Sequence, residues 1–374
     1  MGPSLRRMTL PMEANMWQLI SPDSHFDFIG KAKPCIALSL LMILIGIGSI
    51  VYHGGLNQGI DFRGGTLVQL RFSQPVVLST VREVLGPLGL DKGIVQHFGD
   101  EREVLIRISQ LPEADQDIGK QVQKAFQSRF PEQTVELRRI DVVGPQVSTD
   151  LRRQALFALF YAILGIVIYL SGRFEAKWFI ALALAVVLFA VTYSISYWWP
   201  GVSPTVLIVV ALGGTLAFCL LLQLRYALAA IAALFHDILV TVGFFSLFDK
   251  EFDLSIVAAL LTIIGYSLND TIVIFDRVRE NMQGRRHTDF ATVVNASVNQ
   301  TLSRTILTTA TTLMVVVPLF FFGGQVIHDF AFALLVGMIA GVYSTIFIAS
   351  PILVYWQQYT LRSQTRSQRV ASSH

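Results

Sequence analysis

Charge is scarce in this chain: Asp, Glu, Lys and Arg make up 15% of its 374 residues, against about 25% in soluble globular proteins. Hydrophobic residues fill 53%, more than a soluble core needs, and the pairing points to a polytopic membrane protein. Cysteine is almost absent. Cys35 and Cys219 each lie in an apolar run without a second cysteine nearby, which excludes a disulfide framework and a zinc site. No G-x-x-x-x-G-K-[ST] loop occurs, since Gly30-Lys31 is followed by Ala32 and Gly119-Lys120 by Gln121; energy from nucleotide on this chain is thereby excluded. Neither a histidine-rich metal motif nor an accessible Ser/His/Asp arrangement is present, so the sequence predicts no enzyme and no cofactor. The net charge of +3 is spread over loops and offers no face for nucleic acid. What remains as an energy source is the membrane potential, about 2.3 kcal/mol per charge per 100 mV.

Long apolar runs are what the chain has instead. Residues 1–33 are polar and carry Arg6, Arg7, Lys31 and Lys33. The run Pro34 to Tyr52 that follows has no small-residue cleavage pattern and reads as a retained transmembrane helix. Residues 53–153 are mixed and highly charged, as expected of a domain on the far side of the bilayer. Seven more apolar segments, at 154–171, 177–199, 203–224, 226–248, 254–275, 305–322 and 330–356, predict a bundle over 154–356, eight crossings in all, and a tail at 357–374. Basic residues fall at alternate connections: Arg173 and Lys177, then Arg225, then Arg277 to Arg304, then Arg362 and Arg366. The positive-inside rule then puts both termini in the cytoplasm.

Within 53–153 the periodicity changes repeatedly. Thr66 to Phe72 alternates as a strand, while Leu78, Val81, Leu85 and Leu88 recur at helical spacing. Two strands at 93–98 and 103–109 flank Gly99-Asp100-Glu101; a helix over Ile118 to Phe126 and a strand over Thr134 to Val143 follow. The order βαββαβ predicts a ferredoxin-like α+β domain inserted after the first transmembrane helix.

Acidic residues inside the apolar runs are the candidates for chemistry. Asn269 and Asp270 interrupt Gly265 to Arg279, where an ionised Asp costs about 2.5 to 3.5 kcal/mol and so faces a partner or a cavity. Arg304 opens the next apolar segment and is the candidate partner, with Thr301, Thr305, Thr308 and Thr312 drawing a hydroxyl stripe along one helix face around it. The alternatives are a structural ion pair and a proton-handling pair. Asp237, beside His236, lies in the middle of 226–248 and is the deepest charge in the chain.

Several of these stretches together resemble the SecF-type subunits of the SecD/SecF protein translocase family. They are Gly59-Ile60-Asp61-Phe62-Arg63-Gly64-Gly65-Thr66 after the first helix, Val143-Gly144-Pro145 before the second, Phe235-His236-Asp237, and GYSLNDTIVIFDRVREN at 265–281 with Arg304 beyond. The resemblance covers about residues 25–360. It implies an accessory subunit of protein export in a bacterial-type plasma membrane, working with SecD and a SecY-type channel on unfolded secretory proteins and drawing on protons. It further implies that Asp270, Arg304 and Asp237 carry the coupling, with Asn269, His236 and Thr308 as supporting polar residues. The departure is the 60 residues between Glu175 and His236, which predict an extra hairpin at 177–224 in contact with lipid or a partner. A proton-coupled exporter of small molecules or lipids is the competing expectation; such exporters carry two copies of the helix set, and this chain has one.

Overall fold

The computed structural model describes residues 25–90, 93–108, 118–176, 178–198, 204–284 and 289–371. Arg6, Arg7, Lys177, Trp199-Pro200, Arg285 and Arg286 lie outside them. In chain order, helix α1 (Ala32–Tyr52) leads through a short helical turn, α2 (Ile60–Arg63), into β1 (Gly65–Phe72), α3 (Leu78–Leu85), β2 (Ile94–Phe98), β3 (Asp100–Ile108), α4 (Ile118–Arg129) and β4 (Val135–Val143). Helices α5 (Pro145–Glu175), α6 (Trp178–Trp198), α7 (Pro204–Leu221), α8 (Arg225–Leu247), α9 (Leu254–Gly284), α10 (Phe290–Phe322), α11 (Gly324–Ser344) and α12 (Ser350–Ala371) follow, with a π-helical turn at Thr345–Ala349 between the last two. Among the described residues six helical spans are long and apolar enough to cross a membrane: α1, α5, α8, α9, α10 and the continuous run Ile327–Thr360.

Helices overshoot their apolar runs. Helix α5 starts at Pro145, nine residues before the apolar stretch, because proline suits the first helical position, where its missing N–H has no partner to lose. Helix α10 starts at Phe290, and Val293, Val294, Ser297, Val298, Thr301 and Leu302 are buried along it at helical spacing. Arg304 is therefore well inside α10. Likewise α9 continues to Gly284, fourteen residues and about 21 Å beyond Asp270, where the apolar run alone puts its end about 9 Å away.

The β-strands form one antiparallel sheet in the order β2-β3-β1-β4. Val68, Leu70, Phe72, Val104, Ile106 and Ile108 point to one face, where α3 and α4 cover them with Val81, Leu85, Val122 and Phe126. The reversal between β2 and β3 is tighter than the sequence predicts, turning at Gly99 with φ +78° and starting β3 at Asp100. The opposite face carries Leu67, Gln69 and Leu105 and overlooks a cleft of about 480 Å³, floored by Asp61, Glu251, Asp253 and Asp329.

Main-chain bonds fasten this domain to the helices. Gly59 N–H donates to Phe252 C=O at 2.9 Å, and Phe252 N–H to Asn57 C=O at 2.7 Å. Asp61 accepts from Leu254 N–H at 3.1 Å, capping the first turn of α9 from another element. The chain leaves α2 through Gly64 and Gly65 at φ +73° and +122°, conformations that side-chain-bearing residues rarely adopt. Buried Arg107 of β3 pairs with Glu251 beside these contacts. Burial raises the Glu251 carboxyl above its ordinary range; Arg107 opposes the rise, and Asp253, Asp329 and Asp61 add to it.

Helix α1 joins the bundle backbone to backbone. A Cβ on Gly46 would come within 2.7 Å of Gly243 Cα, and one on Gly243 within 2.9 Å of Gly46 Cα. Ser49 and Ser246 hydroxyls meet at 2.9 Å one turn on, and Tyr343 O–H donates to Cys35 C=O at 2.7 Å.

Two outcomes follow. Gly243→Val forces α1 from α8 and lowers thermal stability in detergent by about 1–3 kcal/mol, whereas Gly48→Val, with open space around it, stays within about 0.5 kcal/mol; equal effects would reject the crossing. For Glu251 the sign is set by its raised value: the folded state holds the proton more tightly, so stability falls as pH rises out of the ordinary carboxyl range. Removing the opposing guanidinium steepens that fall. The thermal midpoint of Arg107→Leu drops more steeply than that of the unaltered chain between about pH 4.5 and 7.5, and parallel curves over that window would reject the pairing.

Candidate intramembrane site

Asp237 lies halfway along α8, twelve residues or about 18 Å past Arg225, and is 1% exposed. A carboxylate so placed needs donors from its neighbours, because no solvent reaches it. Ser267 of α9 donates to Oδ2 at 2.6 Å, Ser344 of α11 to the same oxygen at 3.0 Å, and His236 Nδ1 lies 3.0 Å from Oδ1. Thr241 Oγ1 donates to the Asp237 carbonyl at 2.7 Å. Three helices thus converge on one side chain. Glycines let them: a Cβ on Gly337 would strike Ile263 at 2.3 Å, and one on Gly341 would meet Ser267 at 3.0 Å.

The polar chain continues along α9. One turn after Ser267, the Thr271 hydroxyl meets that of Thr345 at 2.9 Å. Thr345 opens the π-helical turn, a feature often found at functional positions. Asp270, next to Thr271, is 4% exposed. It lies sixteen residues or about 24 Å from Leu254, and Arg304 eighteen residues or about 27 Å from Phe322, so the two sit at similar depth from the same side of the bundle. The Arg304 charge acts on Asp270, yet no hydrogen bond or ion pair joins them among the described residues.

The remaining candidates divide. Arg304 and Asn269 are exposed on the flank of the bundle. Thr308 is half-buried and donates to its own helix, to the Arg304 and Thr305 carbonyls; of the hydroxyl stripe, Thr301 and Thr305 face inward, joined by Thr309, which accepts from Tyr266 O–H at 3.1 Å. His236 is buried against the Tyr343 ring, centroids 5.9 Å apart, and its Nε2 has no partner among the described residues. The donors Ser267, Ser344, Thr271 and Thr345 were not anticipated from the sequence. Their signal was there: Ser-Thr at 344–345 is a polar pair in an otherwise apolar run, and Ser267 precedes Thr271 by one turn.

Charges at the end of α9 pair with neighbouring groups. Arg173 of α5 pairs with Asp276 at 2.5 Å, and Arg279 donates to the Arg173 carbonyl at 3.1 Å. Among the described residues no cluster of metal-ligating side chains exists.

Comparison with known proteins adds relatives. The family described as protein export membrane protein SecD/SecF, C-terminal, matches residues 121–212 and 202–359, and the SecD/SecF GG motif matches residues 51–76. The protein translocase subunit SecF of Magnetococcus marinus is 42% identical over 340 residues, 90% of this chain and 94% of that one. The SecF subunit of Pseudomonas aeruginosa is 37% identical over 329 residues, 88% of this chain and 90% of that one. The crystal structure of SecDF, a translocon-associated membrane protein, from Thermus thermophilus matches with TM-score 0.67 at 31% identity and covers 92% of this chain. This chain spans about 40% of that longer one.

The Asp237 cluster makes a testable demand. Asp237→Ala strands buried hydroxyls and leaves a cavity, lowering thermal stability by about 1–3 kcal/mol, while Asp237→Asn keeps an acceptor for Ser267 and Ser344 and loses less than half as much. Equal losses would show that the hydrogen bonds do not hold the helices.

Proposed function

Because the chain belongs to the SecD/SecF family of protein export membrane proteins, we propose that it is the SecF-type subunit of a Sec translocase, a multi-pass membrane protein that works with a SecD-type partner and couples proton movement to export. The observation that carries this reading is the pair on consecutive helices: a buried acid, Asp270, and Arg304 at similar depth on the next helix, with no bond between them among the described residues. Taking up a proton neutralises Asp270 and removes its attraction for Arg304, so the balance between two arrangements of the pair follows proton access. Asp237, held by three donors, keeps α8, α9 and α11 in register around the pair. His236, Asn269 and Thr308 support it.

A partner half is supported by what is left uncovered. Arg304 and Asn269 are polar, exposed and flanked by exposed Leu307, Met314 and Val315, and a guanidinium on a membrane-spanning flank is costly against lipid. The longer SecDF chain, of which this one matches 40%, has room for a second half.

The remaining assignments belong to the same reading. The sheet domain, with its order β2-β3-β1-β4 and both helices on one face, is a ferredoxin-like domain on the extracytoplasmic side, presented to unfolded secretory proteins near a SecY-type channel. Both termini are cytoplasmic in a bacterial-type plasma membrane. Helices α6 and α7 form an inserted hairpin, at about 177–224. The family match breaks into two pieces overlapping at 202–212, inside that hairpin, as an insertion there would make it.

Asp270→Asn tests the coupling. It keeps size and hydrogen bonding but cannot titrate, so the complex assembles in normal amounts and its export loses the component that an uncoupler abolishes. Export is measured in vesicles with and without uncoupler and normalised to assembled complex. A surviving uncoupler-sensitive component in Asp270→Asn sinks the reading; lowered assembly with normal coupling would mark the pair as structural.

A further inference from the structure

The seven residues before α1 are held in place by an unusual grip. Two asparagines one turn apart on α10, Asn295 and Asn299, bind the main chain of Phe26 to Ile29. Asn299 Oδ1 accepts from Phe26 N–H at 2.9 Å, and Asn295 Oδ1 accepts from Phe28 N–H at 2.9 Å and from Ile29 N–H at 3.3 Å. Both side-chain amides donate to the Phe26 carbonyl, each at 2.9 Å. Asp27 then accepts from Gly30 N–H at 2.8 Å, closing the turn that leads into α1. The Phe26 ring is 53% exposed, so what α10 grips is the peptide group of Phe26 and not its side chain.

This strap reaches both halves of the coupling pair. On one side it fixes α10 by two points a turn apart, which sets both the height and the rotation of that helix. Arg304 lies five residues past Asn299 and nine past Asn295, about 7.5 and 13.5 Å along the axis and on roughly the opposite side. On the other side Phe28 packs edge to face on Phe347, centroids 5.9 Å apart, inside the π-helical turn. That turn starts at Thr345, whose hydroxyl meets Thr271, the neighbour of Asp270. One short segment therefore spans α10, which bears Arg304, and the turn that braces Asp270.

We propose that residues 26–29 are a positioning strap for the ion-coupled step, and that Asn295 and Asn299 are positioning residues that set where Arg304 stands relative to Asp270. The inference rests on the coupling role of that pair. Displacing a reacting group by about 1 Å can cost about a hundredfold in rate, so a strap that fixes a helix in height and rotation governs coupling without touching a proton.

The test uses the full chain, assembled with its SecD-type partner and channel in vesicles, and reads uncoupler-sensitive export per assembled complex across a range of pH. Asn295→Ala/Asn299→Ala frees the strap, and Phe26→Pro removes the Phe26 N–H; both are expected to lower uncoupler-sensitive export about tenfold and to move the pH of its half-maximum. Phe26→Ala keeps every main-chain bond and is expected to behave as the unaltered chain. Native rate and pH profile in the strap variants overturn the inference. So does a loss confined to the amount of complex, or failure of both variants to assemble, since either marks the strap as structural. The Asp270→Asn variant, run alongside, separates the two levels: retained coupling there removes the reading of the pair itself, whereas lost coupling there with normal strap variants removes the strap alone.

Discussion

A carboxylate in hydrocarbon must be answered from within the protein, and the bundle is arranged around that demand at Asp237. Its donors come from three different helices, so satisfying one side chain fixes the relative height of α8, α9 and α11. The small residues follow from it. Gly337 and Gly341 are needed because Ser267 and Ser344 reach Oδ2 only if α9 and α11 run almost in contact. Past Ser344 the helix widens into a π turn, which brings the Thr345 hydroxyl onto Thr271. Asp270 thus lies beside this polar core while itself unbonded among the described residues.

Much of this was legible in the sequence. The interruption of apolar runs by Asp237 and by Asn269-Asp270 marked the polar centre, and the alternation of Val68, Leu70 and Phe72 against Gln69 and Arg71 marked a strand whose partners the sheet supplies. The helix ends were not legible. Hydropathy sees only the part of a helix that lipid or core surrounds, so by that measure the first fifteen residues of α10, amphipathic and packed on one side, are a connection. Arg304 consequently looked like a helix entrance when it lies in the middle of one.

The donors around Asp237 escaped for a different reason. Serine and threonine in an apolar helix usually bond their own preceding carbonyls, as Thr308 and Thr312 do; the pattern of Ser267, Thr271 and Ser344-Thr345 marks polar positions but not that Ser267 and Ser344 reach across to Asp237. The asparagine grip on Phe26 spans 273 residues of sequence, a distance over which no periodicity informs.

The cap that Asp61 places on α9 carries a mechanical meaning. Helix α9 is a stiff rod with Asp270 sixteen residues along it, and its first turn draws one of its acceptors from the glycine-bordered hinge of the sheet domain. Without Asp61, Leu254 N–H loses its acceptor and the first turn of the rod is left uncapped. One hydrogen bond thus ties the placement of the sheet domain to the helix that carries Asp270.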